Sequence, residues 1–327
     1  MPCRLRVKPN PQFARALQRR PFEKLFLFSR PFNRILTASG KLLLSALIWP
    51  RFVAPFRWKL NRYPLPLAGL HPAFEGFKIL HLSDLHVGVT RTSYLAQVFT
   101  RCLQENPDLI VITGDLIDYH PKALPLLKNL LQLLTTARPP HGILAIFGNH
   151  DYHEYSWRHV GPRSAHRAIH KRLVHLLKDM NIHLLRNEQY QIPSKTRNSK
   201  LETRNLTIVG LDEMWTTRAD PAAAFANLTP EDPVICLQHN PDGVEFLKPF
   251  PWQFMLCGHS HGGQANFPLL GPLYLPMQHR HYLRGFYHFP PPPSPHRTMF
   301  VSTGLGYSTP IRLRCPPEAN LFTLILR

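Results

Sequence analysis

Residues 251–264 read PWQFMLCGHSHGGQ, an apolar run closed by Gly258 and followed by His259 and His261 two positions apart. Side chains at i and i+2 of an extended chain project to the same face. Both imidazoles therefore point one way at the end of a strand, with two glycines behind them. Geometry alone leaves three readings open: two ligands of one ion, ligands of two ions, or packing. The same arrangement occurs at four other places. Residues 77–82 (FKILHL) run into SDLH, with Asp84 and His86. Residues 107–113 (PDLIVIT) run into GDLID, with Asp115 and Asp118. Residues 143–147 (ILAIF) run into GNHD, with Asn149, His150 and Asp151, and residues 233–237 (PVICL) run into QHNPD, with His239.

Loops at the carboxyl ends of strands are where open α/β sheets build their sites. Glycine precedes Asp115, Asn149 and His259, which lets the backbone come close to a bound ion. A mixed set of imidazole and carboxylate suits Zn, Mn or Fe better than Mg or Ca, which favour all-oxygen shells. Two such ions about 4 Å apart can clamp a phosphate, activate a water and stabilise a leaving oxygen. A lone His or Asp at a strand end is ordinarily a cap or a surface group. Five such endings, each after an apolar strand, point to a pair of divalent metals.

Apolar runs predict strands over residues 77–82, 109–113, 143–147, 206–211, 234–237, 253–256, 299–302 and 321–326. Helical spacing predicts helices over 94–104, 124–135, 165–179 and 222–226. In the third of these, Ala168, Leu173, Leu176 and Leu177 share one face. Strands that first alternate with helices and then follow one another imply an α/β or α+β sandwich, two sheets covered by helices. The stiff FPPPPSPHR, residues 289–297, reads as an exposed loop or hairpin tip. His81 points away from the ligand face by strand alternation and reads as structural.

The five blocks SDLH, GDLID, GNHD, QHNPD and GHSHGG resemble the signature of the calcineurin-like metallophosphoesterase superfamily: D-x-H, G-D-x-x-D, G-N-H-D/E, H, and G-H-x-H. No motif residue is substituted. The resemblance implies a four-layer α-β-β-α sandwich of two mixed sheets, spanning residues 71–327. It implies two divalent ions, Mn2+ or else Zn2+ or Fe. Asp84, His86, Asp115 and His261 would hold the first, and Asp115, Asn149, His239 and His259 the second, with Asp115 bridging. His150 would contact the phosphate and assist the leaving group, held in orientation by Asp151. Asp118 would be either a supporting group or a structural acceptor. HNPD, GHSHGGQ and the late VSTGLGYSTPIRLRCPPEANLFTL further resemble the membrane-associated YaeI/YkuE-type branch. Within it they are most similar to the UDP-2,3-diacylglucosamine pyrophosphatases of lipid A biosynthesis. The implied substrate is a lipid-linked nucleotide sugar, cleaved to UMP and a lipid sugar 1-phosphate.

The chain of 327 residues carries a formal charge of +19. Residues 1–72 hold 14 Lys and Arg against the single acid Glu23. Those bases are interleaved with Phe, Leu, Ile and Trp, but the longest uncharged apolar run, residues 42–50, is far short of the roughly 20 residues a spanning helix needs. A span over 35–56 would have to carry Lys41 and Arg51, at about 2.5–3.5 kcal/mol for each central charge. Residues 1–70 therefore read as an interfacial anchor on an anionic membrane surface, at the cytoplasmic face of the inner membrane. The five cysteines form no C-x-x-C pair, which fits unlinked thiols in a reducing compartment. A nuclease would spread its positive charge over the catalytic face, so nucleic acid is not an expected partner. Arg158, Arg163, Arg167, Arg280 and Arg284, in segments mixing aromatic and basic residues, are candidate phosphate contacts. The alternatives are a broader phosphodiesterase acting on another lipid-linked phosphoester, or an inactive membrane scaffold, which predicts lost ligands.

Overall fold

The computed structural model describes residues 44–118, 122–153, 163–194, 205–216, 218–272, 275–290 and 297–326, with the side chains of 44–47 and 163–166 outside that description. Residues 1–43 of the expected anchor, Arg158, the side chain of Arg163 and the proline-rich tip at 291–296 thus lie outside the described residues. The chain divides into two units, residues 1–48 and 49–327. The second carries the fold.

Its first strand is β1 (Lys59–Leu67). Then come β2 (Lys78–Leu82), β3 (Leu109–Thr113), β4 (Ile143–Ile146) and β5 (His183–Leu184). The later strands are β6 (Glu188–Ile192), β7 (Leu206–Gly210), β8 (Val234–Leu237) and β9 (Phe254–Cys257). A short ribbon, β10 (Asn266–Phe267) and β11 (Gly271–Pro272), precedes β12 (Gly285–Phe289), β13 (Arg297–Val301) and β14 (Glu318–Leu326). One sheet has the order β1-β14-β2-β3-β4-β5 and the other β12-β13-β9-β8-β7-β6. Both are mixed. β2 to β5 are parallel and β14 is antiparallel to β2, while β7, β8, β9 and β13 are parallel and flanked by antiparallel β6 and β12.

The period-2 alternation of strand side chains makes the layers. In β3, Leu109 and Val111 face the second sheet, where they meet the cluster holding Ile235, Leu237, Phe254 and Phe300. Ile110 and Ile112 face outward, under α1 (Thr92–Leu103), α2 (Ala123–Thr136) and α4 (Arg163–Asp179). The one-turn α3 (Asn149–Tyr152) lies between α2 and α4 in the chain. On the far side Val234, Cys236, Met255 and Cys257 pack beneath α5 (Pro221–Ala224), α6 (Val244–Leu247) and Trp252. This is the expected α-β-β-α sandwich. The four described cysteines are buried free thiols.

The expected boundary at residue 70 moves. Residues 59–67, assigned by sequence to the anchor, form β1, paired in parallel with β14 over their whole length and burying Leu65 and Leu67. Pro64 and Pro66 concealed this strand. Prolines two apart put both missing N–H groups on one edge, and an edge strand has one edge free of ladder bonds.

Candidate metal centre

The five polar loops follow β2, β3, β4, β8 and β9, the parallel strands at the middle of both sheets. Their side chains converge where the carboxyl ends of the two sheets meet. Asp84, His86, Asp115, Asn149, His239, His259 and His261 are all buried. Asp84, His86, Asp115, His259 and His261 have φ between 45° and 65°. That left-handed region costs a non-glycine residue about 1–2 kcal/mol. Strain of this kind persists where surrounding structure imposes it. The loops are pressed together: a Cβ on Gly148 would lie 2.2 Å from Asp115 Oδ1, and one on Gly258 would lie 1.9 Å from Ser83 Oγ and 2.4 Å from Asp84 Oδ2.

Two groups of potential ligand atoms result. One contains Asp84, His86, Asp115 and His261, the other Asp115, His239 and His259. Asp115 Oδ2 is 3.5 Å from His86 Nε2 and 3.3 Å from His239 Nε2, so one oxygen reaches both groups. His261 Nε2 lies 3.0 Å from His86 Nε2 and 3.4 Å from Asp84 Oδ1. His259 Nδ1 lies 2.9 Å from Asn149 Oδ1.

The hydrogen-bond roles fit a metal. His239 Nδ1 sits 2.7 Å from the Thr113 carbonyl, which can only accept, so Nδ1 is protonated and Nε2 is the nitrogen turned to Asp115. His239 Nε2 has no hydrogen-bond partner although it is buried. His259 Nε2 likewise donates to the Pro276 carbonyl at 3.0 Å, which leaves Nδ1 as a lone pair facing the Asn149 oxygen. Acceptor against acceptor at hydrogen-bond distance, in a buried site, is unfavourable without a cation between them. Two nitrogens about 2.0–2.1 Å from a common ion would stand at about the spacing seen between His86 and His261. No Lys or Arg pairs with Asp84 or Asp115 among the described residues. The residues fit two divalent ions.

Burial lowers the basicity of His259, to about 3, and of His261, well below the usual imidazole range, so both rings are neutral. For His239 burial pulls the same way, but Asp115 and Asp84 overcome it and raise it well above the usual value. Burial works to raise the Asp115 carboxyl, and the neighbouring His239 and His150 outweigh it and hold it well below the usual range. Burial raises Asp84, with Asp115 adding to the effect and His239 opposing it.

The carboxylate beside the His150 ring is not the expected Asp151. Asp151 does not touch the His150 ring. Its Oδ1 accepts the N–H groups of Leu116 (2.9 Å) and Ile117 (3.2 Å), and its Oδ2 that of Gly148 (2.9 Å). At the first turn of α3 it points back into the loop after β3 and ties two ligand loops together. Burial pushes its carboxyl up, to about 8, against the pull of the Gly148 and Ile117 donors. The group beside His150 is Asp118, with Oδ1 3.4 Å from His150 Nδ1 and Oδ2 3.5 Å from His86 Nδ1. Burial would raise the Asp118 carboxyl, but His150 and His86 hold it well below the usual range. Burial lowers His150, yet Asp115 and Asp118 raise it to about 9. His81 is buried against Thr113 Oγ1 at 2.7 Å, outside the ligand groups.

Arg167 is exposed on α4, and Arg280 and Arg284 are exposed beyond β11. Arg280 donates to the Pro272 carbonyl (3.1 Å) and Arg284 to that of Arg314 (2.9 Å). Two neighbours of the centre escaped the sequence reading. Arg312, fully buried, donates to the carbonyls of Thr303 (2.7 Å) and Gly306 (2.5 Å) and stands 3.4 Å from His261 Nδ1. In IRLR it looks like any surface base. Trp215 stands edge-on to His259, ring centres 4.6 Å apart, and no periodicity marks it.

Residues 77–263 match the family model described as calcineurin-like phosphoesterase. The chain belongs to the calcineurin-like phosphoesterase family. This phosphoesterase is 31% identical over 252 residues to Phosphodiesterase YaeI of Escherichia coli, covering 76% of this chain and 82% of that one. It is 29% identical over 305 residues to UDP-2,3-diacylglucosamine pyrophosphatase LpxG of Chlamydia muridarum, covering 83% and 90%. It is 30% identical to the uncharacterized metallophosphoesterase YkuE of Bacillus subtilis, covering 84% and 88%. The crystal structure of a dimetal phosphatase from Danio rerio aligns over 72% of this chain and 90% of that one, at 11% identity and a TM-score of 0.40. The phosphoesterase is a metal-dependent hydrolase, with a buried His/Asp cluster fitting two divalent metals.

Proposed function

We propose that the protein hydrolyses the diphosphate of UDP-2,3-diacylglucosamine at a membrane surface, releasing UMP and 2,3-diacylglucosamine 1-phosphate. The observation that carries the phosphoesterase reading is the convergence of Asp84, His86, His239, His259 and His261 on Asp115, one oxygen of which reaches both groups. Asp84, His86, Asp115 and His261 would hold one divalent ion, and Asp115, Asn149, His239 and His259 the other. When bound, the ions supply Lewis-acid charge to the phosphoryl oxygens and lower the pKa of an attacking water. The metals of choice are Mn2+, with Zn2+ or Fe compatible with the donor set.

The chain's own residues do the rest. Asp118 takes the Nδ1 sides of both His86 and His150, which fixes two rings with one carboxylate. Turned to Asp118 at Nδ1, His150 has Nε2 left for a phosphoryl oxygen or the leaving group. Raised to about 9, it keeps its proton at neutral pH and can donate it there. Asp151, through three backbone N–H groups, keeps the Asp115 and Asn149 loops in register.

The lipid A substrate is supported by similarity to LpxG proteins from two Chlamydia species, matched over 83% and 88% of this chain. The basic, aromatic-rich N-terminus agrees with work at a bilayer surface. Arg158, Arg163, Arg167, Arg280 and Arg284 are the proposed sources of phosphate contacts. Similarity to Phosphodiesterase YaeI favours a second reading, a broader phosphodiesterase on another lipid-linked phosphoester. The separating experiment supplies purified protein and Mn2+ with UDP-2,3-diacylglucosamine or with bis(p-nitrophenyl) phosphate. UMP release is expected. Turnover of the simple diester without UMP would sink the lipid A assignment and leave the second reading.

A further inference from the structure

Two stretches of the chain, residues 49–74 and 246–317, contain no Asp or Glu. The fold brings parts of both to one face beside the metal loops. Arg312 N–H donates to the Pro50 carbonyl (2.8 Å), and Arg51 Nη1 to that of Pro310 (3.3 Å). On its other side the same segment bridges to β10: Asn266 N–H donates to the Leu313 carbonyl (3.0 Å), and Leu313 N–H to that of Gln264 (2.9 Å). Residues 310–313 are thus a rail with the turn at Trp49–Phe52 on one flank and the β10–β11 hairpin on the other.

Both flanks present apolar side chains to solvent. At the hairpin tip Leu269 is fully exposed (106%) and Leu270 nearly so (75%), with Phe267 beside them. Across the rail Trp49 and Phe52 are 43% and 59% exposed. Leu269 has φ 67°, a conformation that turns ordinarily give to Gly or Asn. A leucine there is costly to the turn and to solvation alike, so the tip is not shaped for water. Around it stand Arg51, Arg280, Arg284 and Arg314, all exposed. None of the four pairs with a carboxylate among the described residues. Arg51 lies over the Phe52 ring at 5.1 Å.

We propose that the β10–β11 tip, with Trp49 and Phe52, inserts into the interface of an anionic bilayer and seats the metal loops at the head-group level. An exposed apolar tip, with exposed arginines near it that pair with no carboxylate among the described residues, is complementary to acyl chains below and anionic head groups around them. The seating is short-range, because β10 begins five residues after His261 and Pro276, just past β11, accepts from His259. The inference rests on the proposed action on a lipid-linked substrate and adds a contact separate from residues 1–43.

The test uses the full chain carrying Leu269→Trp, with vesicles of phosphatidylethanolamine and a minority of phosphatidylglycerol, with and without brominated lipid. The wild-type chain gives the spectral reference. Leu133→Trp near the end of α2, an exposed site on the helix that covers the outer face of the first sheet, gives the control. The indole introduced at position 269 should shift to the blue and be quenched by the bromines, while the indole introduced at position 133 should not respond. A paired Leu269→Asp and Leu270→Asp variant should keep the wild-type melting temperature and lose about tenfold in vesicle affinity. Vesicle-bound protein with an unquenched indole at position 269 would overturn the proposal and leave the lipid-substrate reading intact. Absence of any vesicle binding would overturn both. A blue shift without lipid that grows with protein concentration would assign the tip to a protein interface and overturn the proposal.

Discussion

At the scale of single residues, the centre is organised by which nitrogen of each imidazole is occupied. Carbonyls claim His239 Nδ1 and His259 Nε2, so His239 presents Nε2 and His259 presents Nδ1. Asp118 claims the Nδ1 side of both His86 and His150. His150→Ala should keep both metals by elemental analysis and lose about 10²–10⁴-fold in turnover; loss of metal would make His150 a ligand and refute its assigned part. Asp118→Asn should cost about 10–100-fold in activity or metal affinity, because two rings lose their orienting carboxylate. An unchanged rate and metal affinity would reduce Asp118 to a bystander. The residues that the fold brings together were legible in the sequence, since each follows an apolar strand directly. The pairing of His150 with Asp118 rather than Asp151 was not. It depends on a one-turn helix that aims Asp151 back at the loop after β3, a direction that spacing does not encode.

At the scale of elements, the ligand loops depend on glycines that leave room rather than on any side chain. Gly258→Ala would drive a methyl to within 1.9 Å of Ser83 Oγ and 2.4 Å of Asp84 Oδ2. Asp84 must then move, and metal at the first site should be lost in elemental analysis while circular dichroism stays native. A variant with full metal and full activity would show that the loops are looser than this. The edge strand gives a second test. Removing residues 1–43 should leave the melting temperature unchanged, whereas removal of 1–70 strips β14 of its parallel partner and uncovers Leu321 and Phe322. Leu67→Ala should destabilise by about 2–5 kcal/mol; no change in the melting curve would detach residues 59–67 from the fold. The core strands were readable because both faces of a central strand are apolar. β1 and β6 were not, since these edge strands carry prolines or polar residues.

At the scale of the whole molecule, positive charge and chemistry are separated along the chain. The apolar hairpin tip and exposed arginines beside the metal loops would turn the site toward anionic lipid. Among the described residues no helix is long and apolar enough to cross a membrane. Deleting residues 1–43 should move much of the protein from the membrane to the soluble fraction, with the remainder released by salt as expected for surface arginines. A deletion variant as firmly bound as the full chain would remove the anchoring role of that segment. The four-layer architecture followed from the order of strands and helices together with the family resemblance. The hairpin that crowns the site did not, because two-residue strands leave no period to read. The central claim is that His259 and His261, two residues apart, serve different ions joined by Asp115. Counting divalent metal per chain in the wild type, His259→Ala and His261→Ala tests it directly. Two ions are expected in the wild type and about one in each variant; one ion in the wild type, or two retained in either variant, would contradict this division.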